Sequence, residues 1–130
     1  MKRTYVDSGV LVMAARGSAE LSGAALNILC DPEREFVSSI LVRLEVMPRA
    51  STASEAEFYE AFFRDVAIWA RLEAHLLVSA VDEARSSGVS PADAIHVLMA
   101  ASTGCHELVI ADEDDAPIYA TKRVAVVGVG

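Results

Sequence analysis

The sequence predicts an α/β fold in which helices cover a central, mostly parallel sheet. Short apolar segments of strand length alternate with longer segments of helix length, the order that produces parallel strands joined by helices. The chain has 130 residues, a size typical of one domain, and no repeat or linker divides it. Hydrophobic residues make up 53% of the chain, which is enough for a packed core. We therefore expect a single domain over residues 1–130.

The first half of the chain predicts two strands and four helices. Pro32 and Pro48 set two of the helix ends, because proline cannot continue an α-helix. The fourth helix has an apolar face around Phe58 and Phe62, and its acids, Glu55 among them, are expected to face water. The predicted elements are a strand over 3–6, helices over 8–15 and 18–29, a strand over 35–38, and helices over 39–47 and 54–64.

The second half predicts three strands and two helices. Gly88 ends the first helix as a C-cap, and Ser90-Pro91 opens the second with a capping residue and a proline at the first helical position. The predicted elements are a strand over 66–69, helices over 72–86 and 90–103, and strands over 107–111 and 124–127.

Composition narrows the class of protein. The net charge of −8 argues against a protein that coats nucleic acid, unless carboxylates bind a divalent cation where the phosphate must lie. No apolar stretch reaches the roughly 20 residues of a membrane span, and no export signal is recognisable, so a cytoplasmic protein is expected. Cys30 and Cys105 are far apart and are interpreted as two buried thiols.

Two acids directly follow predicted strands. Asp7 follows Tyr5-Val6, and Asp112 follows the apolar segment 108–111. Because sites in parallel sheets gather beyond the carboxyl ends of the strands, these distant acids are expected at one edge of the sheet. The alternative for Asp7 is a helix N-cap, and the alternative for Asp112 is a solvated acidic loop.

Two further acids lie on apolar helices. Glu45 shares a helix face with Leu41, and the face that contains Leu41 and Leu44 is expected to be buried, where a carboxylate must be paired or coordinated. Its alternative is a surface pair with Arg49. Asp93 fits a capping box with Ser90, but it also stands at the mouth of a nearly all-apolar helix.

The histidines carry less weight. His96 follows Asp93 by three residues and shares its helix face, yet such a residue is more often a satisfied core or rim histidine than a ligand. His75 and His106 have no partner at metal-ligand spacing, and the sequence contains no HExxH, CxxC or GxSxG motif and no P-loop.

With four acids in this order, the chain resembles the PIN domain, and within it the VapC toxin ribonucleases of VapBC toxin–antitoxin modules. The resemblance covers essentially the whole chain and is carried by four segments. These are 5–11 (YVDSGVL), 42–46 (VRLEV), 90–96 (SPADAIH) and 108–112 (LVIAD). Gly9 stands where many members carry Asn, and Ile110 stands where a small hydroxyl residue is common.

The resemblance implies a PIN-like three-layer α/β/α sandwich and a metal-dependent endoribonuclease. Asp7, Glu45, Asp93 and Asp112 would be the catalytic and metal-binding acids. Apart from the resemblance, Ser8 is a candidate to orient a metal-bound water, and Asp114 or Asp115 is a candidate auxiliary ligand from the acidic loop. Oxygen ligands favour Mg²⁺ or Mn²⁺, which would activate water to hydrolyse RNA phosphodiester bonds and leave 5′-phosphate and 3′-hydroxyl ends.

The resemblance also implies partners, namely an RNA substrate, an antitoxin protein and a second copy of the chain in a homodimer. The basic candidates for RNA contact are Arg16, Arg43, Arg49, Lys122 and Arg123. The aromatic candidates for a dimer interface are Tyr59, Phe62, Phe63 and Trp69, for which a place in the core is an equal alternative.

Two rival functions stay open. A different Mg²⁺-dependent phosphate hydrolase, such as a haloacid-dehalogenase-type phosphatase, would need a second Asp two residues after Asp7, where this chain has Gly9. A non-catalytic PIN-fold interaction module would have no need for four retained acids, because unpaired carboxylates are costly to bury.

Overall fold

The computed structural model describes residues 1–113 and 115–129. In this part of the chain, five strands alternate with six α-helices. They are β1 (Lys2–Val6), α1 (Ser8–Arg16), α2 (Ala19–Leu29), β2 (Arg34–Ser39), α3 (Ile40–Val46), α4 (Ala53–Arg64), β3 (Ile68–Ala70), α5 (Ala74–Ser87), α6 (Pro91–Ser102), β4 (Glu107–Ile110) and β5 (Val126–Gly128). Short 3₁₀ turns cover Met47–Arg49 and Pro117–Ala120.

The five strands form one parallel sheet in the order β3-β2-β1-β4-β5. Tyr5 of β1 lies opposite Val37 of β2 on one side and Leu108 of β4 on the other. The chain leaves β1 toward β2 and β3, then returns across the sheet to β4 and β5. The connections therefore diverge at the carboxyl ends of β1 and β4, which is where parallel sheets form binding crevices.

Helices cover both faces of this sheet. Right-handed crossovers that run in opposite directions place their helices on opposite faces. In agreement, α1 contacts α2, α3 and α4, whereas α5 packs against α6. The α/β/α class with a parallel central sheet is thus confirmed.

Most predicted boundaries differ from the observed ones by one or two residues. The third strand was expected over 66–69 and is Ile68–Ala70, and the last was expected over 124–127 and is Val126–Gly128. Pro48 ends the α-helix as expected, but the chain continues in the 3₁₀ turn Met47–Arg49 before it leaves the helix axis. Gly88 has a φ of 69° and caps α5, a left-handed conformation that glycine adopts without steric cost.

The core is mostly aliphatic, with two buried tyrosines. Tyr59 and Phe63 are 0% and 5% exposed, so these two aromatic residues belong to the core and are not available to a dimer interface. Phe62 packs edge-on against Phe36 of β2, whereas Trp69 is 44% exposed on the edge strand β3. The hydroxyl of Ser38 at the end of β2 is buried and has no hydrogen-bond partner among the described residues.

Glu55 does not face water, contrary to the sequence-based expectation. It lies in the first turn of α4 and is 8% exposed. Arg16 at the end of α1 donates to its carboxylate at 2.9 Å, and the Tyr59 hydroxyl donates to it at 2.6 Å. The hydrogen bond from Tyr59 and the guanidinium of Arg16 lower the pKa of Glu55 to about 2. The ion pair between Arg16 and Glu55 therefore links the end of α1 to the first turn of α4.

Among residues 1–113 and 115–129, no helix combines the length and apolar character that a membrane crossing requires.

Candidate metal centre

Asp7 stands directly after β1, at the point where the sheet connections diverge. Its backbone N–H donates to the Val109 carbonyl at 3.0 Å, which continues the pairing between β1 and β4 for one more residue. Its side chain caps α1 by accepting a hydrogen bond from the Ser8 N–H at 2.8 Å. Asp7 is therefore the helix N-cap considered above, and it is 8% exposed. One hydrogen bond from the cap leaves most of its lone pairs free for other ligands.

Glu45 reaches the same place from α3. Its Oε1 lies 2.6 Å from Nε2 of His96, and that nitrogen is 3.7 Å from Oδ1 of Asp7. Among the described residues, Glu45 does not form an ion pair with Arg49, which was the alternative for this acid. Glu45 was expected on a buried helix face with Leu41 and Leu44, but the buried face of α3 is a different one. Val42 and Val46 form the buried side of α3, whereas Leu44 is 65% exposed.

Asp93 and Asp112 complete the acidic edge. Asp93 lies in the first turn of α6, where its backbone N–H donates to the Ser90 side chain at 3.2 Å, so the predicted cap is present. Asp112 follows β4 and is exposed. Asp112 is close enough to Asp93 for its charge to raise the pKa of the Asp93 carboxyl, after burial, which has the larger effect.

The auxiliary candidates differ in their placement. The Ser8 hydroxyl lies 3.4 Å from Asp7 Oδ1, next to the cluster of Asp7, Glu45 and His96. Asp115 is exposed, and no hydrogen bond or ion pair within the described residues joins its side chain to the other acids. Asp114 lies outside the described residues.

The acids of the crevice disturb one another electrostatically. Burial raises the pKa of Asp7 to about 6; the charge of His96 opposes this rise, and the charges of Asp93 and Glu45 add to it. Burial alone would lower the pKa of His96, but its hydrogen bond to Glu45 and the charges of Asp7 and Glu45 raise it above the usual value. One nearly buried carboxylate, Asp7, and two half-buried ones, Glu45 and Asp93, therefore surround one buried imidazole, an arrangement that attracts positive charge.

The donor set fits a hard divalent cation. Carboxylate oxygens of Asp7 and Glu45 lie within 4.8 Å of each other and of a ring nitrogen of His96, a spacing that is compact enough for a single ion. Carboxylate oxygens are the donors that Mg²⁺ and Mn²⁺ prefer, and Asp93 and Asp112 add two more carboxylates to the same edge.

His96 is buried and satisfied as expected, and its contact with the acids is the feature that was not predicted. It is 1% exposed and hydrogen-bonded on both ring nitrogens, so it is a satisfied buried histidine, and it also contacts the acids directly. The signal was its spacing of three residues from Asp93 on one helix face.

The basic candidates are mostly engaged elsewhere. Arg16 pairs with Glu55, Arg43 pairs with Glu60, and Arg123 pairs with Glu83. Arg49 and Lys122 are exposed, and neither side chain forms an ion pair with another described residue.

Known proteins match this chain in fold rather than in sequence. No protein-family model and no curated protein matches the sequence. Solved structures match across nearly the whole chain. A chain of VapBC2 from Rickettsia felis, bound to a DNA fragment from its promoter, aligns with a TM-score of 0.70 at 10% identity over 97% of this chain and 98% of that one. The fold is PIN-like.

Two further matches support the same PIN-like fold. A chain of the DNA-bound VapBC from Salmonella typhimurium aligns with a TM-score of 0.64 at 16% identity and covers both chains completely. A chain of a toxin–antitoxin complex from Klebsiella pneumoniae aligns with a TM-score of 0.70 at 18% identity over 98% of each chain. The sequence-based resemblance to VapBC proteins is thus confirmed at the level of the PIN-like fold.

Proposed function

We propose that this chain is a metal-dependent endoribonuclease, the VapC-type toxin of a toxin–antitoxin module. The observation that carries the proposal is the meeting of Asp7 and Glu45, from elements far apart in sequence, in a poorly solvated crevice at the carboxyl edge of the sheet. Asp93 and Asp112 stand at the same edge. Likeness to chains of VapBC complexes supports the toxin class.

Asp7, Glu45, Asp93 and Asp112 are the residues that would hold Mg²⁺ or Mn²⁺, some of them through water. A bound ion would supply Lewis-acid chemistry, since it acidifies water and neutralises charge at the phosphate. The choice of these ions over zinc follows from the carboxylate oxygens that dominate the donor set.

The protein's own residues set the conditions for this chemistry. Asp7 is held at one position by its cap hydrogen bond and by its backbone bond to β4, so its carboxylate is pre-oriented. In the metal-free protein, its pKa of about 6 leaves part of the Asp7 population protonated near neutral pH. The remaining acids repel phosphate, so RNA can approach this edge only when cations compensate the acids. Ser8, beside Asp7, is the proposed auxiliary residue that orients water.

The proposal includes three macromolecular contacts. RNA is the substrate, and Arg49 and Lys122 are the basic candidates that remain free to touch its backbone. An antitoxin protein and a second copy of this chain are the proposed partners. Co-purification with the product of a neighbouring gene would test the first partner, and light scattering of the isolated chain would test the second.

Cleavage of a mixed RNA pool by the purified protein tests the activity. We expect cleavage with Mg²⁺ or Mn²⁺, none with EDTA, and a loss of at least about 100-fold in Asp93→Asn, because removal of one charged ligand weakens both ion binding and transition-state stabilisation. Asp82→Asn is the matched control, since Asp82 is an exposed acid on α5 outside the crevice.

The rival functions predict different results. Ion binding without cleavage of any RNA would favour a PIN-fold interaction module. Hydrolysis of small phosphate esters in place of RNA would favour a different phosphate hydrolase. If Asp93→Asn and Asp82→Asn cleave equally well, the assignment of the site is wrong.

A further inference from the structure

The hydroxyl of Tyr5 lies beneath the acids and joins three elements. Tyr5 belongs to β1, two residues before Asp7, and is 0% exposed. Its oxygen lies 2.8 Å from Oγ of Ser39, the N-cap of α3, and 2.7 Å from Nδ1 of His96 on α6. One buried oxygen thus connects the strand that carries Asp7, the helix that carries Glu45 and the helix that carries Asp93.

The hydrogen bonds around His96 have a defined direction. An ionised carboxylate only accepts hydrogen bonds, so the 2.6 Å contact with Glu45 Oε1 requires the hydrogen to be on Nε2 of His96. On the other side of the ring, the Tyr5 hydroxyl donates to Nδ1 when the imidazole is neutral and accepts from it when the imidazole is charged. Tyr5 therefore satisfies Nδ1 in either state.

The direction of the hydrogen bond from His96 to Glu45 distinguishes between two roles for His96, a metal ligand and a residue that orients a ligand. A nitrogen that carries hydrogen has no lone pair to give to a cation, so Nε2 cannot serve as a ligand while it donates to Glu45. The second oxygen of Glu45 and the carboxylate of Asp7 keep their lone pairs. His96 thus resembles the supporting residues that orient metal ligands without touching the metal.

We propose that the Tyr5 hydroxyl, acting through His96, positions Glu45 for cation binding, and that His96 is a hydrogen-bond donor to Glu45 and not a ligand. This inference rests on the proposed function for its cation. Tyr5 and His96 are positioning residues. Without the hydroxyl, Nδ1 of a ring that is 1% exposed would have no partner among the described residues, and the ring would no longer be fixed against Glu45.

Tyr5→Phe and Tyr59→Phe form a matched pair of variants. Each removes one hydroxyl from a tyrosine that is 0% exposed. The Tyr59 hydroxyl donates to Glu55, which is not one of the four acids of the candidate metal centre. Calorimetry with Mn²⁺ should show binding about tenfold weaker in Tyr5→Phe, the scale found for residues that support metal ligands, and within about twofold of wild type in Tyr59→Phe. Equal affinities of Tyr5→Phe and wild type would overturn the proposal.

Two substitutions of His96 keep the test decisive if Tyr5→Phe does not fold. The amide of His96→Gln can still donate a hydrogen bond to Glu45, so Mn²⁺ affinity should stay within about threefold of wild type. His96→Leu cannot donate, and its affinity should fall about tenfold. If both variants lose Mn²⁺ equally, His96 is a ligand and the proposal is wrong.

Nitrogen NMR of the His96 ring provides a readout that needs no activity. Nε2 should carry a directly bonded hydrogen in the metal-free protein and keep it at saturating Mg²⁺; loss of that hydrogen with Mg²⁺ would show ligation and refute the inference. If wild type binds neither ion, the proposed function fails separately. The metal-free spectra then decide the remaining claim: the Nε2 hydrogen should exchange with water at least about tenfold faster in Tyr5→Phe than in wild type, because the ring is no longer fixed against Glu45. An unchanged exchange rate would contradict the role of Tyr5.

Discussion

Replacing Asp7 by Asn should stabilise the metal-free protein. The structure forces this carboxylate into a poorly solvated crevice, where its pKa rises from 3.8 to about 6. Asn has nearly the same shape, and its amide oxygen can still accept the hydrogen bond from the Ser8 N–H, so the cap of α1 is retained. The substitution therefore removes the buried charge and leaves the backbone support in place.

The size of the expected stabilisation follows from the pKa values of Asp7 in the unfolded and the folded protein. A folded-state pKa above the unfolded one means that the folded protein binds this proton more tightly, so stability is lost as the pH rises from about 4 through 6. At about 1.36 kcal/mol for each pH unit, the difference between 3.8 and about 6 amounts to about 3 kcal/mol at pH 8. For a chain of this length, such a gain corresponds to about 10 °C in melting temperature.

Urea unfolding with EDTA at pH 8 and pH 4 measures the effect. We expect Asp7→Asn to be more stable than wild type at pH 8 and nearly equal at pH 4, where the folded wild type is already protonated at Asp7. Addition of Mg²⁺ should stabilise wild type and do little for the variant, because an ion stabilises only the state that binds it. An Asp7→Asn protein that is no more stable than wild type at pH 8 would refute the reasoning.

Three further predictions concern residues outside the crevice. Ser38→Ala removes a buried hydroxyl without a partner among the described residues and should raise the free energy of unfolding by about 1 kcal/mol in urea titrations; a decrease would mean that the hydroxyl is satisfied in solution. Gly88→Ala places a side chain on a residue with a φ of 69° and should lower the free energy of unfolding by about 1 kcal/mol. An unchanged free energy of unfolding would show that the helix end adapts. Glu55→Gln should flatten the pH dependence of the melting temperature below pH 4.5, because a carboxylate with a pKa of about 2 contributes stability that is lost as the pH falls toward that value; parallel curves for variant and wild type would contradict this.

The sequence was a good guide wherever the deciding signal is local. Strand and helix alternation, caps such as Ser90 and the glycine stop at Gly88 depend on neighbouring residues, and the structure places them as expected within one or two residues. Asp7 and Asp112 were expected at one edge of the sheet, and they lie there because they follow the adjacent parallel strands β1 and β4.

The sequence was a poor guide wherever a partner comes from far along the chain. Glu55 seemed a surface acid because nothing near it indicates Arg16, which is 39 residues away. His96 is the satisfied buried histidine that was expected, but its partner Glu45 could not be predicted because it lies 51 residues away. For Glu45, the apolar residues of α3 did not reveal which side of so short a helix is buried, and the choice of Leu44 as a core residue was wrong.

The shape of the sheet has a consequence for how this protein meets other copies of itself. Its two edge strands, Ile68–Ala70 and Val126–Gly128, have three residues each, whereas the central strand and its neighbour β2 have five and six. A short edge offers few unpaired backbone groups for another strand to extend, and this is one way in which proteins avoid forming fibrils. Self-association of this chain should therefore proceed through helix surfaces, and cross-β aggregation should be slow as long as the sheet stays intact.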